Sequence, residues 1–233
     1  MLKVAYLTID DGPSENTKQY INYLRDNSIP AIMFFIGEHI RCLPDIAVSA
    51  IRNGIIIGNH TMSHHRLSTC SFKGAVSEIE QMESLIDDMY RKAQCQRPCK
   101  LFRFPYGDKG GKNSEKIQTY LKENGFKKID PTGITYPWYY EMMLDKGNDT
   151  LWTFDFEDYK LSRKVQEITE AQIMQRIQQK EPLHGGSLHN MQSRDILLMH
   201  DLSKSNKRFE GYFTNILDAA RQLNVTFEMP KFI

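Results

Sequence analysis

The sequence predicts an α/β fold, a single (β/α) barrel over residues 1–233, from two regularities along the chain. Short segments rich in apolar and β-branched residues alternate with segments of helical periodicity, which is typical of parallel strands joined by helices. Seven or eight such units in 233 residues favour a barrel over an open sheet. An open doubly wound sheet is the alternative, but the GxGxxG and GxxxxGK[ST] phosphate-binding fingerprints that would support it are absent.

The predicted strands are short, and several are apolar throughout, as expected when both faces of a parallel sheet are covered. They comprise residues 3–9, 31–36, 55–58, 101–104, 126–129, 151–154, 195–199 and 225–227. Because parallel strands bring their carboxyl ends to one face of a barrel, the residues that follow these segments are the candidates for an active site.

Helical periodicity separates the predicted strands. Apolar residues recur every three or four positions across residues 72–89, which predicts one long amphipathic helix. Ser14 is suited to cap a helix that runs to about Asn27, and Pro44 is suited to the first turn of the next helix. Further helices are predicted over residues 114–124, 169–180 and 209–223.

Composition excludes several classes of protein. Hydrophobic residues make up 40% and charged residues 25%, and the net charge of +1 gives no bulk attraction to nucleic acid or to an anionic membrane. No apolar run approaches the ~20 residues of a membrane span. The first residues resemble a strand rather than a leader, so we expect a cytoplasmic protein or one whose leader is removed. Free thiols are favoured for the four cysteines, with a disulfide between Cys95 and Cys99 as the alternative.

Polar residues cluster after two of the predicted strands. Asp10 and Asp11 follow the first strand, and His60 and His64 follow the third. An i, i+4 histidine pair on a helical turn directs both imidazoles to one side. Two histidines and one carboxylate leave a coordination position open for water, as in catalytic metal sites. The residues therefore predict a divalent-metal site, with two surface histidines on a polar loop as the alternative.

Asp10 and Asp11 are adjacent and precede Gly12-Pro13, which predicts a turn. Successive side chains point in different directions, so one carboxylate can bind a metal while the other acts as general base toward water. An Asp-Gly turn cap without chemistry is the alternative interpretation.

His200 ends the seventh predicted strand, and Asp158 follows the sixth. A buried structural histidine is the default interpretation of such a residue. The sharper hypothesis is a general acid opposite Asp10, because amide hydrolysis must protonate the departing amine. Asp158 would then hold the imidazole in one tautomer and raise its pKa.

Five segments carry these residues in a fixed order and span residues 8–201. Their sequences are TIDDGP at 8–13, GNHTMSH at 58–64, RFPYG at 103–107, WTFDFEDY at 152–159 and LMHD at 198–201. Together they resemble the motifs of the polysaccharide deacetylase family with NodB homology, also called carbohydrate esterase family four. The resemblance implies a distorted (β/α) barrel with about seven parallel strands. It also implies a hydrolase that removes N-acetyl, or O-acetyl, groups from an amino sugar, oligosaccharide or polysaccharide.

The resemblance implies one divalent metal ion, with zinc expected first and cobalt, nickel, manganese and iron as alternatives. The partner implied is an acetylated glycan or amino-sugar substrate. The resemblance implies that Asp11, His60 and His64 bind the metal and that Asp10, oriented by Arg103, is the general base. It implies that the backbone N–H of Tyr106 stabilises the oxyanion and that His200, whose pKa Asp158 tunes, is the general acid. It also implies that Trp152, Tyr159 and Leu198 contact the substrate.

Two positions depart from the family pattern. Tyr159 stands where many members have tryptophan, which changes the shape of the acetyl pocket. His65 stands where proline is common, and it adds a third imidazole near the histidine pair. The aromatic residues of segment 135–141 either stack on sugar rings or pack beneath a loop.

Two other functions compete with the deacetylase hypothesis. A two-His-one-carboxylate iron oxygenase would use the same three ligands, but it would not need Arg103, Asp158 and His200 in these places. A catalytically inactive glycan-binding relative would not need base, acid and metal ligands together.

Overall fold

A parallel sheet surrounded by helices forms the structure, a computed structural model that describes residues 2–162 and 168–233. The strand pairings β1–β2, β1–β7, β1–β8, β2–β3, β4–β5 and β6–β7 are all parallel. The strands β1 to β8 are, in chain order, Lys3–Asp10, Ala31–Phe35, Ile56–Asn59, Lys100–Leu101, Phe126–Lys127, Phe154–Asp155, Asp195–His200 and Val225–Phe227.

The strands follow the spatial order β5-β4-β3-β2-β1-β7-β6. Central strand β1 pairs with β2 over residues 7–10 and with β7 over residues 5–10, and β8 pairs with its first residues, 3–5. A parallel bridge between Asn59 and Phe102 connects β3 to the chain after β4. Within residues 2–162 and 168–233, no strand pairing joins β5 to β6, so the barrel has a seam there.

Helices α1 to α9 connect the strands, and the predicted helices are present with ends shifted by a few residues. None of the helices in the described ranges is both long and apolar enough to span a bilayer. The helices are Thr17–Asp26, Gly37–Cys42, Pro44–Arg52, Phe72–Ala93, Ser114–Glu123, Pro137–Glu141, Glu170–Ile177, Ser203–Arg208 and Tyr212–Gln222.

Strand β1 separates two parts of the core. Its residues Ala5, Leu7 and Ile9 belong to the large cluster that includes the surrounding helices. Tyr6 belongs to a second cluster, formed mainly by strand and loop residues inside the barrel. Because side chains alternate along a strand, Asp10 lies on the same side of the sheet as Tyr6. The strand period therefore directs Asp10 to the barrel interior.

A buried ion pair closes the end of the barrel where β1 and β7 begin. Lys3 and Asp195 are in direct contact, and both side chains are fully buried. The Lys3 ammonium also donates to the carbonyl oxygens of Asn190 at 2.7 Å and Ser193 at 2.6 Å, and the Tyr136 hydroxyl donates to Asp195 at 3.0 Å. Burial lowers the pKa of Lys3 and raises the pKa of Asp195, and each partner opposes the shift of the other.

Helix α1 begins later than predicted, and Ser14 does not cap it. The N-cap position is Asn16, which makes no side-chain cap hydrogen bond. The Ser14 hydroxyl instead donates to the buried carboxylate of Asp201 at 2.6 Å, and the Thr17 hydroxyl donates to the same group. The capping prediction is wrong because the buried Asp201 carboxylate requires hydrogen-bond donors to offset the loss of its hydration.

Candidate active site

Strand β1 delivers two adjacent carboxylates to the carboxyl end of the sheet. Asp10 is the last residue of β1 and is buried, and Asp11 follows in the left-handed region at φ 71°. Asp10 contacts Arg103, whereas Asp11 contacts a pair of histidines. Arg103 holds Asp10 and His64 lies beside Asp11, whereas His60 Nε2 lies near both carboxylates, 3.7 Å from Asp10 Oδ2 and 3.5 Å from Asp11 Oδ1.

The histidine pair lies in an irregular loop after β3. Thr61 and His64 adopt left-handed conformations with φ of 67° and 58°, and the His64 N–H donates to the Thr61 hydroxyl at 3.0 Å. This tight turn brings the ring centroids of His60 and His64 to 4.8 Å. The prediction of a helical turn is wrong, because left-handed residues rather than helical spacing make the two imidazoles converge.

Asp11, His60 and His64 each place a ligand atom within 4.8 Å of the others. Asp11 Oδ1 lies 3.5 Å from His60 Nε2 and 3.1 Å from His64 Nε2. His60 Nδ1 lies 2.9 Å from the carbonyl oxygen of Arg103, and the tautomer that donates there leaves the Nε2 lone pair toward Asp11. Burial opposes ionisation of Asp11, but the two histidines lower its pKa well below the ordinary value. This donor set fits a divalent transition metal with open positions.

Arg103 is fully buried and connects three parts of the chain behind the cavity. Its Nη1 lies 2.7 Å from Asp10 Oδ1 and donates to the Thr8 hydroxyl at 2.8 Å, and its Nε donates to the Thr150 carbonyl oxygen at 2.8 Å. The guanidinium carbon lies 4.3 Å from the Phe34 ring centroid. Because these contacts restrain the guanidinium, they also hold the Asp10 carboxylate in one orientation.

His200 ends β7 and is paired with Asp158. The backbone N–H of His200 donates to Asp158 Oδ2 at 2.9 Å, and His200 Nδ1 lies 3.0 Å from Oδ1. Burial opposes protonation of His200, but Asp158, aided by Asp11 and Asp155, raises its pKa to about 10. The imidazole is therefore protonated at neutral pH, and its Nε2 is the nitrogen left to serve the cavity.

A cavity of about 430 Å³ lies among these groups. Two of the predicted site residues, Arg103 and Asp158, lie behind its wall and contact the residues that line it. The lining includes the predicted residues Asp10, Asp11, His60, His64, Tyr106, Trp152, Tyr159, Leu198 and His200, together with Arg66, Gly107, Asp155 and Leu202.

Aromatic rings flank two of the three imidazoles that line this cavity, those of His64 and His200. Tyr106 has a left-handed backbone with φ 60° and ψ 13°, and its ring lies 4.5 Å from that of His64. The Tyr159 ring meets the His200 ring edge-on at 5.1 Å. Leu198 lies two residues before His200 on β7, so both side chains are on one face of the strand. Tyr159 and Leu198 thus form an apolar wall beside the imidazole.

Asp155 lines the same cavity, although the sequence analysis gave it no role. Burial raises its pKa to about 6, against the charge of His200, and its Oδ1 accepts a hydrogen bond from the Glu157 N–H at 2.7 Å. Asp155, Asp158 and His200 also form a group of close ligand atoms. Since His200 engages both oxygens of Asp158, this group is better described as a hydrogen-bonded cluster than as a second metal site.

Arg66 and His39 are two neighbours of the site that sequence reasoning missed. The Arg66 guanidinium stacks 4.3 Å from the Tyr106 ring centroid at the cavity edge. His39 Nδ1 lies 2.7 Å from the Asp11 carbonyl oxygen, although His39 belongs to none of the five sequence motifs. His39 follows the carboxyl end of β2, and this position in the sequence could have indicated that it lies near the site. His65 is exposed and lies outside the Asp11 ligand group.

The aromatic segment 135–141 is divided between buried and more exposed side chains, and packing beneath a loop accounts for the buried ones. Tyr136 and Tyr139 are buried in the interior cluster. Tyr140 is partly exposed, and its hydroxyl donates to the Ile134 carbonyl oxygen at 2.8 Å. Trp138 is half-buried and lines a second cavity that adjoins the first.

Comparison with known proteins identifies relatives of this chain. The family model described as polysaccharide deacetylase matches residues 2–129. A peptidoglycan-N-acetylglucosamine deacetylase from Bacillus cereus is 28% identical over 200 residues, which cover 86% of this chain. The matched region is 60% of that relative, so the chain spans less than two thirds of its length.

Solved structures share the architecture. The polysaccharide deacetylase Bc1974 from Bacillus cereus aligns with a TM-score of 0.68 at 24% identity, over 97% of this chain and 91% of that one. A family 4 carbohydrate esterase from Streptomyces lividans aligns with a TM-score of 0.65 at 20% identity, over 97% and 92%. At these identities the likeness concerns the fold, and it confirms the predicted (β/α) barrel.

Proposed function

Because the chain belongs to the polysaccharide deacetylase family, we propose that it is a metal-dependent hydrolase that removes N-acetyl groups from an amino-sugar glycan. A second substrate class is the O-acetylated glycan. The observation that carries this proposal is the convergence of three ligand residues, a further carboxylate and a protonated imidazole on one cavity. The peptidoglycan deacetylase named above supports the same class of reaction.

Asp11, His60 and His64 would hold one divalent ion, and zinc is the metal we expect first. Such an ion, when bound, acidifies water and polarises a carbonyl group. The hydrogen bond between His60 Nδ1 and the Arg103 carbonyl oxygen supports this assignment, because metal-binding histidines commonly donate their second nitrogen to a backbone carbonyl.

Asp10 would act as general base on the attacking water. Its Oδ1 is engaged by Arg103 at 2.7 Å, which leaves Oδ2, 3.7 Å from His60 Nε2, to accept the proton. Arg103 is a positioning residue in this scheme. Its contacts to Thr8 and Thr150 fix the base before substrate arrives, which lowers the cost of orienting it during reaction.

His200 would act as general acid on the departing nitrogen. As the C–N bond of the amide breaks, the His200 Nε2 proton transfers to the sugar nitrogen, and the products are acetate and a free amine. Asp158 keeps His200 protonated and fixes the ring through Nδ1. The attacking water loses a proton to Asp10. Over the whole reaction Asp10 therefore gains one proton and His200 loses one.

Three further residues would position the acetamido group and its sugar. The backbone N–H of Tyr106 would stabilise the developing charge on the carbonyl oxygen. Tyr159 and Leu198 would contact the acetyl methyl group from the apolar wall, and Trp152 would contact the sugar.

The aspartate pair offers a direct test through Asp10→Asn and Asp11→Asn. We expect Asp10→Asn to keep the metal and to lose about 10²- to 10⁴-fold in acetate release, since it removes only the base. Asp11→Asn should lose bound metal as well. Elemental analysis and acetate release are measured on both variants, with exposed Asp26→Asn as the matched control. Equal loss of metal in both variants would contradict the assignment of base and ligand.

A substrate panel tests the reaction class. Acetate release is measured from chitooligosaccharides, peptidoglycan fragments and acetylated sugar conjugates, with oxygen uptake recorded alongside. We expect acetate without oxygen consumption. Oxygen uptake without acetate would support the iron oxygenase, and metal binding without turnover on every glycan would support an inactive relative.

A further inference from the structure

The residues that follow β2 lie between the two halves of the proposed metal site. Asp11 follows β1, whereas His60 and His64 follow β3, and β2 pairs with both of these strands. The segment 35–39 runs from the end of β2 into α2. It is therefore placed to contact both the aspartate ligand and the histidine ligands.

Backbone hydrogen bonds hold the histidine loop against this segment. The His60 N–H donates to the Phe35 carbonyl oxygen at 3.1 Å. The Gly37 N–H donates to the Thr61 carbonyl oxygen at 3.1 Å. A Cβ at position 37 would collide with the Met62 sulfur, so glycine allows this close approach. The loop that carries the histidine ligands is thus fixed on the segment 35–39 by main-chain contacts.

The turn that carries Asp11 is attached to the same segment by one backbone and one side-chain contact. The Ile36 N–H donates to the Gly12 carbonyl oxygen at 2.8 Å. His39 Nδ1 lies 2.7 Å from the Asp11 carbonyl oxygen. Because a carbonyl oxygen can only accept, Nδ1 carries the proton and donates it in this contact. Of these four hydrogen bonds, the one from His39 is made by a side chain, so a substitution can remove it and leave the main chain unchanged.

This contact acts on a residue with an unfavourable backbone conformation. The φ of Asp11 is 71°, in the left-handed region, which costs energy for residues other than glycine and persists only where neighbouring contacts hold it. The Asp11 carbonyl group and side chain depart from the same Cα. A hydrogen bond that fixes the carbonyl group therefore also restricts the direction of the carboxylate, which faces His60 and His64.

We propose that His39 is a positioning residue of the metal site: by holding the Asp11 carbonyl oxygen, it fixes the Asp11 carboxylate opposite the two histidines before the ion binds. This inference rests on the proposed metal-dependent function and gives a role to a residue outside the five sequence motifs. His39 touches neither the ion nor the substrate in this scheme. Loss of outer contacts that orient metal ligands commonly weakens metal binding or activity by about 10- to 100-fold.

Substitution at position 39 separates the hydrogen bond from the bulk of the side chain. His39→Leu and His39→Ala remove the donor, whereas His39→Asn keeps an N–H donor on the atom after Cγ, as in histidine. Arg41→Leu introduces leucine at an exposed position of the same helix and is the matched control. Each variant is titrated with zinc in competition with a chromogenic chelator, and its cobalt complex is examined by absorption spectroscopy.

We expect His39→Leu and His39→Ala to raise the Kd for zinc about tenfold or more and to change the cobalt d–d spectrum, because the Asp11 carboxylate is less well oriented. His39→Asn and Arg41→Leu should stay within about threefold of the wild-type Kd and keep its spectrum. The Tm of the metal-free protein should differ by less than about 4 °C among the variants, since one exposed hydrogen bond contributes modestly to stability.

Three results would overturn the proposal. Unchanged zinc affinity in His39→Leu and His39→Ala would show that Asp11 is held without His39. Equal effects of His39→Asn and His39→Leu would mean that the donor is not what matters. A large fall in the metal-free Tm alongside the loss of affinity would indicate a general structural role.

Acetate release by the wild type separates this inference from the proposed function. If no glycan yields acetate while His39→Leu weakens zinc binding, the proposed reaction fails and the role of His39 stands. If acetate is released and zinc is bound but substitutions at position 39 change neither affinity nor spectrum, this inference alone fails. A wild type that binds no zinc or cobalt would overturn both.

Discussion

Substitution of Asp158 by asparagine tests the most specific electrostatic feature of the site. Asp158 is fully buried and engages both the backbone N–H and Nδ1 of His200. Its charge and hydrogen bond are the largest influences that raise the pKa of His200 to about 10 against the effect of burial. Asparagine keeps the size and the carbonyl acceptor but removes the charge.

The expected magnitude follows from the fraction of protonated imidazole. Without Asp158 the pKa of His200 should fall to its ordinary value of 6.5 or below, because burial then opposes protonation with less compensation. At pH 8, a group with a pKa of 6.5 is about 3% protonated, whereas one with a pKa of 10 is about 99% protonated. An acid-dependent step should therefore slow about thirtyfold at pH 8, and at pH 6, where a group with a pKa of 6.5 is about 76% protonated, the deficit should nearly vanish.

The assay is the pH profile of kcat for acetate release from one glycan substrate. We expect the alkaline limb of the wild type near pH 10 and that of Asp158→Asn near or below pH 6.5, while Asp26→Asn should match the wild type. An NMR titration of the His200 imidazole gives the same pKa values without turnover. A uniform loss of rate with an unmoved alkaline limb would refute the reasoning, since it would mean that Asp158 acts only through structure.

Three further predictions concern the fold and the metal. Lys3→Met should lower the free energy of unfolding by about 3–5 kcal/mol in urea denaturation, because it leaves the Asp195 charge buried without a partner; a loss below about 1 kcal/mol would contradict this. Gly58→Ala should cost about 1–3 kcal/mol, since a Cβ there would lie 2.5 Å from the Phe34 ring, whereas Gly74→Ala in α4 should be nearly neutral. Removal of metal by a chelator should abolish acetate release, and added zinc should restore it; full activity after complete metal removal would oppose the ligand assignment.

Much of the site could be predicted because its residues obey strand periodicity. Asp10 and His200 each end a buried strand, and a parallel barrel brings such ends together whatever the intervening helices are. The adjacent Asp10 and Asp11 also turn to different groups, Asp10 to Arg103 and Asp11 to His64, although His60 lies near both. Both features follow from the order of residues along the chain and from the rule that parallel strands of a barrel end on one face.

The remaining features depend on contacts that no local pattern encodes. The imidazoles of His60 and His64 converge because Thr61 and His64 adopt left-handed conformations, and neither residue is a glycine that would have signalled them in the sequence. Ser14 looks like a helix cap, but Asp201, distant in sequence, takes its hydroxyl. The second cavity, which adjoins the active-site cavity, combines residues from segments 106–109, 138–157 and 176–185, and no local pattern links these three segments. Features assembled from distant segments in this way require the three-dimensional structure.

The barrel seam between β5 and β6 separates the paired strands from a connecting stretch that forms cavity walls. Within the described ranges, strand pairing holds the segments that end in Asp10, Asn59 and His200, while the stretch from Lys127 to Phe154 crosses the unpaired gap and supplies Trp138 and Trp152 to the cavity walls. Substitutions in that stretch can change the cavity walls without shifting the strand register, provided that the Thr150 carbonyl keeps its hydrogen bond from Arg103. The cavity walls can therefore vary while the paired strands keep their alignment.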